Sequence, residues 1–354
     1  TPRLHMSDLA APARRIVDAA IGSLCTACVL RIERRGVIDV IAAGTLCPDE
    51  RAGADAPCTV DSLFDLASLT KLATTALALA FVRERALALD TPFRELVPDF
   101  RGGRKDDVTL GHVLTHTAGL TWWLPLWKEV HTLEEAVWRA AQEPLAQDLG
   151  TFTYSDLGYI MLTQGLATIG GHAFADLVRE TVLGPVEAIA ADFGPRHPEH
   201  CAATEEDAEW RQRRLRGEVH DENAFAVGGT AGHAGLFGTA ADVAAIARVF
   251  RDGAVIGNEL AALARTERVK QGNVRRGIGL ALRAPDGPMV GRHFSVDAYG
   301  HTGFTGTSIW IDPQLDLTVV LLTNRVYFGR GNDDAMYRFR IAVHEAVSAG
   351  TIGA

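Results

Sequence analysis

The sequence predicts an α/β protein: an antiparallel sheet flanked by N- and C-terminal helices, joined to a mainly helical domain. Three observations lead there. Strand-like segments gather near both chain ends, an amphipathic helical segment lies outside each of them, and the long middle alternates helical stretches with loops rich in glycine and proline. Neither end can bury its apolar faces alone, so one sheet built from both ends, with the middle inserted, is the natural assembly. The expected division is residues 1–75 with 251–354 for the sheet domain and 76–250 for the helical domain, with the functional site at their junction.

Ser7 to Ile21 spaces apolar residues helically behind a Ser-Asp start, which predicts an amphipathic first helix. Cys25 to Arg34 and Val37 to Gly44 are β-rich and meet at Arg35-Gly36, which predicts a hairpin. A strongly apolar helix is expected from Ser68 to about Leu89. Between about 90 and 270 helices and loops alternate, without internal repeat or low-complexity segment. Thr307 to Asn324 then reads as strand, Pro-Gln-Leu-Asp turn and strand. Met336, Phe339, Ile341, Val343 and Val347 space a last amphipathic helix over Asp333 to Ser348.

Composition narrows the function classes. With 354 residues, 47% hydrophobic and 22% charged, the chain is of the globular class and neither disordered nor fibrous. Its 35 basic and 44 acidic side chains leave a net charge of −9, which argues against nucleic acid or anionic lipid as a partner. Apolar runs stay well short of the roughly 18 residues of a membrane helix, so no membrane span is expected. Thr1 to Met6 lack a charged segment followed by an apolar one, which points to the cytoplasm unless a leader has been removed.

The five cysteines are an odd number and do not read as a disulfide framework. Cys25 and Cys28 form a C-x-x-C inside the first β-rich run, where residues three apart should face opposite sides, so packing is expected rather than zinc or thiol chemistry. His197, His200, Cys201 and His220 are dense enough to raise metal binding, and a metalloenzyme is one rival reading. Their Pro-, Glu- and Arg-rich surroundings read instead as a surface excursion, and neither metal nor cofactor is expected.

Lysine is scarce: four of the 35 basic residues, at 71, 105, 128 and 270. Only Lys71 has a serine three positions before it, in Ala67-Ser68-Leu69-Thr70-Lys71, and with eight serines such a match has a chance expectation of roughly 0.09. At a helix N-terminus positions i and i+3 share a face, so the ammonium can reach the serine oxygen. Backbone N–H groups and the positive dipole end favour developing negative charge at the same place. The plainer alternative makes Ser68 an N-cap and Lys71 a surface residue of the first turn. An apolar helix behind the lysine argues that it has a partner or a purpose.

Tyr154-Ser155-Asp156 and His301-Thr302-Gly303 follow in order. Together, S-x-x-K, Y-S-(N/D) and (K/H)-T-G resemble the three active-site motifs of the serine penicillin-recognising superfamily: class C β-lactamases, D-alanyl-D-alanine carboxypeptidases, D-aminopeptidases and related esterases. The resemblance covers most of the chain and implies a β-lactamase-like fold and acyl transfer to water through an acyl-serine. It implies Ser68 as nucleophile, Lys71 as holder and shuttle of the serine proton, and Tyr154 as base or relay. The backbone N–H groups of Ser68 and Phe304 would form the oxyanion hole, and Thr302 and Gly303 would line the substrate. His301 stands where lysine is common, which implies weaker, pH-dependent carboxylate recognition.

Asp156 departs from the commoner asparagine, whose amide donates to the acyl-side amide of a substrate; a carboxylate cannot donate. The expected substrate is therefore a small-molecule ester or a D-amino-acid peptide, with a structural pairing to Lys71 as the other reading of Asp156. A β-lactam substrate, for a β-lactamase or penicillin-binding D,D-carboxypeptidase, is the alternative. An inert pocket-bearing binding protein is the alternative of another class. Trp123, in the Trp122–Trp127 stretch, is a candidate apolar wall, with core packing as its rival. His116 and His233 read as structural.

Overall fold

The computed structural model describes residues 9–48, 56–195, 197–285 and 289–349. The expected start of the first helix at Ser7 and the stretch Thr1 to Met6 lie outside the described residues. An eight-stranded antiparallel sheet holds the molecule together. Its strands in chain order are β1 (Ala27–Arg34), β2 (Val37–Gly44), β3 (Val269–Gln271), β4 (Val274–Arg276), β5 (Ala281–Leu282), β6 (Tyr299–Thr302), β7 (Ser308–Asp312) and β8 (Leu317–Thr323). Across the sheet they run β2-β1-β8-β7-β6-β5-β4-β3. The two chain ends meet at β1 and β8, in register from Cys28 opposite Thr323 to Arg34 opposite Leu317.

Local chemistry explains the turns. Arg35 and Gly36 both have positive φ, +48° and +77°, the backbone of the two-residue turns whose twist matches flanking strands. The Pro313-to-Asp316 turn joins β7 to β8 as expected, with Asp316 at φ +47°. The four strands β3 to β6 are additions to the sequence expectation; at two to four residues each they are too short to display a period.

Both faces of the sheet are buried. Val319 and Leu321 of β8 join a core with Leu30, Ile32 and Trp310 beneath α1 (Ala11–Ala20) and the last helix, which runs Asp333–Ala349. Val320 and Leu322 alternate to the other face and join Val29, Ile309 and Ile311 in the larger core. That core contains α2 (Thr70–Arg83), α3 (Leu133–Gln142), α4 (Leu157–Gly170), α5 (Ala240–Arg251) and α6 (Asn258–Arg265), with the terminal helix numbered α7. Helix α2 ends six residues before the expected Leu89. From Thr70 to Phe81 every residue of it is buried, so it is a central rod without a wet face. Truncating Leu77 in it to alanine would cost about 2–5 kcal/mol.

Cys25 and Cys28 do not face opposite sides. Strand β1 starts only at Ala27, so Cys25 precedes the alternation, and both side chains pack into the core beneath α1. Both are free thiols; burial pushes the first up to about 12 and the second well above its ordinary value.

Candidate active site

A short strand, Phe64–Asp65, pairs with Leu236–Gly238 and leads into one tight turn, Ala67–Leu69, before α2 begins. Ala67 has φ +46°, a left-handed conformation costly for a residue with a Cβ. Asp65 holds it there: one carboxylate oxygen accepts the Ala67 N–H at 2.8 Å and the other the His220 N–H at 2.6 Å. Ser68 thus sits on a sharp turn at the mouth of a helix and is not its N-cap; the cap position is Leu69, and α2 starts at Thr70.

Lys71 is wholly buried. Its ammonium donates to Ser68 Oγ at 3.0 Å and to the His233 carbonyl at 3.1 Å, and it pairs with Asp156 Oδ1 at 2.7 Å. It also lies 5.0 Å from the Tyr154 ring centre and 5.6 Å from that of Tyr159. Burial alone would depress its pKa, but the Asp156 carboxylate and the Tyr154 oxygen outweigh burial and raise it. Lys71 is therefore an ammonium at neutral pH. The pairing of Asp156 with Lys71, the second of the two readings of that residue, is present, while Asp156 also lines the cleft.

The Tyr154 segment is positioned by its neighbours. The Ser155 N–H donates to His116 Nδ1 at 3.1 Å, Ser155 Oγ donates to the Thr121 carbonyl at 2.7 Å, and the Asp156 N–H donates to the Trp122 carbonyl at 3.1 Å. His116 also lies against the Tyr154 ring, with centres 4.4 Å apart. Burial, and then Arg276 and Lys71, hold its pKa well below the ordinary value, so it acts here as a neutral acceptor. His233 likewise has a structural bond, from Nε2 to Asp221 Oδ1 at 2.8 Å.

His301, on β6, is buried with its ring centre 6.2 Å from that of Tyr154. A carbonyl can only accept, so Nδ1–H donates to the Thr302 oxygen at 2.9 Å and Nε2 carries the lone pair. Burial, then Lys71 and Arg276, push its pKa down to about 3. The pH-dependent carboxylate contact expected at this position is therefore absent around neutrality: His301 stays uncharged there.

Ser68, Tyr154, Asp156, Thr302, Gly303 and Phe304 converge on a cleft of about 610 Å³. Trp122 and Trp123 form one wall of it, stacked with centres 5.7 Å apart. Trp127 turns away and packs on Trp210. The possible ligands His197, His200, Cys201 and His220 are not brought together as a set. His197 and His200 are exposed beside Glu199, with ligand atoms within 4.8 Å, whereas Cys201 is buried and His220 binds Glu205.

Sequence reasoning passed over Asp65 and two arginines, Arg325 and Arg340, that grip the loop after β6. A signal existed for two of them. Asp65 interrupts the apolar run Leu63-Phe64-Asp65-Leu66, and Arg340 falls on the apolar stripe of α7 between Met336 and Val343.

The family model for Beta-lactamase matches residues 30–343. A protein of Bacillus subtilis (strain 168) named N-acetylmuramyl-L-alanine amidase is 31% identical over 309 residues, 75% of this chain and 68% of its own. One of Escherichia coli (strain K12), named "Putative D-alanyl-D-alanine carboxypeptidase", is 28% identical over 307 residues, 75% of this chain and 70% of its own. Among solved structures, EstCE1, described as a hydrolase with promiscuous acyltransferase activity, has a TM-score of 0.79 at 22% identity, covering 96% of this chain and 98% of its own. A class C beta lactamase from Rhodobacter sphaeroides has a TM-score of 0.76 at 19% identity, covering 97% and 99%; both likenesses are of fold. With the family match extending over most of its length, the chain belongs to the beta-lactamase family.

Proposed function

We propose that this beta-lactamase-family hydrolase cleaves small esters through an acyl intermediate on Ser68. The contact that carries the reading is the 3.0 Å hydrogen bond from a buried, charged Lys71 to Ser68 Oγ. An ammonium cannot accept the serine proton; it lowers the energy of the alkoxide, and the proton is relayed through the Tyr154 hydroxyl, which accepts it as it hands its own proton to the leaving oxygen of the ester. Ser68 Oγ attacks the ester carbonyl, and the tetrahedral oxyanion lies between the Ser68 and Phe304 N–H groups. Collapse expels the alcohol, which leaves with the relayed proton. Water then enters and attacks the acyl carbonyl, and its proton passes by way of the Tyr154 hydroxyl to Ser68 Oγ as the acid departs, restoring Ser68 and Tyr154.

Asp156 supports an ester over an amide. Its carboxylate faces the cleft as an acceptor, so a substrate amide carbonyl placed there meets repulsion, whereas an ester without that amide does not. The paired tryptophans suit an apolar acyl or alcohol group. The peptide reading draws support from the relatives named as a carboxypeptidase and an amidase.

Intact-protein mass spectrometry tests both. A fluorophosphonate should add once, at Ser68, and Ser68→Ala should abolish the adduct and the hydrolysis of p-nitrophenyl esters. Wild-type turnover by Ser68→Ala would end the proposal. A lasting penicilloyl adduct would favour the peptidase, and rapid penicillin turnover a β-lactamase.

A further inference from the structure

The loop Gly303–Thr307, between β6 and β7, has a donor on every carbonyl. Gly303 O accepts from Gly306 N–H at 3.2 Å and from Arg340 Nη2 at 3.0 Å. Phe304 O accepts from Arg325 Nε at 2.7 Å and Thr305 O from the Arg325 N–H at 2.9 Å. Gly306 O accepts from Thr323 Oγ1 at 3.0 Å, and Thr307 O from Gly303 N–H at 2.8 Å and Arg340 Nη2 at 2.9 Å. One guanidinium nitrogen of Arg340 therefore bridges the two ends of the loop.

Two hydroxyls fasten this loop to the turn that carries Ser68. Thr305 Oγ1 donates to the Asp65 carbonyl at 2.7 Å and Thr307 Oγ1 to the Leu66 carbonyl at 3.1 Å. The approach is close enough to require glycine: a Cβ on Gly303 would stand 2.7 Å from Leu66 O and 2.2 Å from Thr307 Oγ1. The spacing between the Ser68 and Phe304 amides is thereby set from both sides.

The Gly303 carbonyl and the Phe304 N–H are opposite ends of one planar trans peptide. A donor fixed on the oxygen fixes the direction of the N–H, and a charged donor there polarises the group and strengthens the N–H as a donor in turn. We propose that Arg340 is a positioning residue for the oxyanion hole: from the C-terminal helix it holds the Gly303 carbonyl and so aims and polarises the Phe304 N–H. The inference rests on the proposed reaction at Ser68.

The charge balance around the loop fits this role better than a role in fold stability. Arg325 is paired with Asp333 at 2.8 Å and bonded to Asn332 at 2.7 Å. Arg340 forms no ion pair among the described residues, and its buried Nε lacks a partner there. Burial, and then the neighbouring Arg325, pull its pKa down to about 10, so it is still a cation at neutral pH. A lone cation on the apolar stripe of α7, beside a like charge, is an expensive way to brace a helix.

The test compares Arg340→Met and Arg340→Lys with the parent, using p-nitrophenyl acetate turnover, inhibition by phenylboronic acid and thermal melting. The boronate forms a tetrahedral adduct on the serine whose oxygen occupies the hole, so it reports the hole directly. Arg340→Met should lower kcat about 10- to 100-fold, less than or equal to the effect of deleting a donor outright, and weaken boronate binding by a similar factor. KM should change by less than about threefold, because the hole acts mainly on the transition state. Arg340→Lys, which keeps a charged donor without the planar fork, should recover part of both losses. If Arg340→Met does not fold, Arg340→Lys decides alone by showing the same paired loss in smaller measure. A kcat within about threefold of the parent, or a loss of kcat with boronate affinity unchanged, overturns the inference. Ser68→Ala keeps the two proposals apart: if it is inactive while Arg340→Met is parent-like, only the role of Arg340 fails.

Discussion

Asp156→Asn removes the carboxylate that holds Lys71 and puts an amide donor in its place. At 2.7 Å and an effective dielectric of about 20, the lost attraction is about 6 kcal/mol. Asparagine retains a neutral acceptor, and removing one partner of a buried pair costs about 3–5 kcal/mol. Because the Asp156 side chain is 18% exposed to the cleft, the low end, about 3 kcal/mol, is expected. Spread over the unfolding entropy of 354 residues, at about 2.1 cal/mol/K each, that is a fall of about 4 °C in Tm. The pH dependence follows from Lys71, whose pKa is raised in the folded chain. Its contribution is complete below its unfolded pKa of about 10.4 and is lost as pH climbs through the higher folded value. The Tm difference between parent and variant should therefore be flat around neutrality and close only above about pH 10.5. The new donor should also speed penicillin acylation of Ser68 by about tenfold, measured as the rate of adduct formation. A variant that melts within about 1 °C of the parent at neutral pH refutes the ion-pair reasoning. Unchanged acylation refutes Asp156 as the barrier to amide substrates.

Three further outcomes are expected. His344, wholly buried against Phe294, has its pKa pushed down to about 3 by burial and then by Arg340. Below about pH 6.5 the unfolded chain binds a proton there that the folded chain refuses, so stability falls with acidity, by about 2 kcal/mol at pH 5. Denaturant titrations of His344→Leu should show a drop between pH 7 and pH 5 smaller than the parent's by about that amount; an equal drop contradicts the assignment. Gly303→Ala should cost at least about 100-fold in kcat, since its Cβ would force the loop off the Leu66 carbonyl; parent-like turnover would show that the spacing is not critical. Trp122→Ala removes a side chain that is 64% exposed, so folding should be unaffected while KM for p-nitrophenyl butyrate rises about three- to tenfold at nearly constant kcat. An unchanged KM would exclude the tryptophan wall from substrate binding.

What could be read from the sequence was set by whether a feature has a period or a rare residue to reveal it. The hairpin at Arg35-Gly36, the β7–β8 pair and the terminal helix show themselves by alternation or helical spacing, and they stand where expected. Strands β3 to β6 have too little length in which to alternate. The left-handed Ala67 is invisible because alanine carries no mark of positive φ; only the contacts of Asp65 explain it. Ser68, Tyr154 and His301 could be picked out by type and order, but their mutual distances come from the approach of β6 to the Ala67–Leu69 turn and from the placing of the segment before α4, which no local pattern encodes. Cys25 was misplaced by a boundary error of two residues, which is enough to defeat an alternation argument.

Charge at the site shows the same division between residue type and environment. Lys71 and His301 read from sequence as one fixed cation and one titrating one. In the fold the first is paired with Asp156 and the second is held neutral by burial. Arg276, 5.7 Å from the Tyr154 ring centre and without an ion pair among the described residues, keeps one positive charge on that side of the site. A second unpaired positive charge, on Arg340, borders the same cleft and is held against the Gly303 carbonyl, through which it polarises the Gly303–Phe304 peptide. A cation in the cleft attracts an anionic substrate before any reaction. One acting through a peptide dipole works most strongly on charge that develops at the acyl oxygen as the bond forms. The second effect is open to an uncharged ester, which acquires its negative charge only at the transition state.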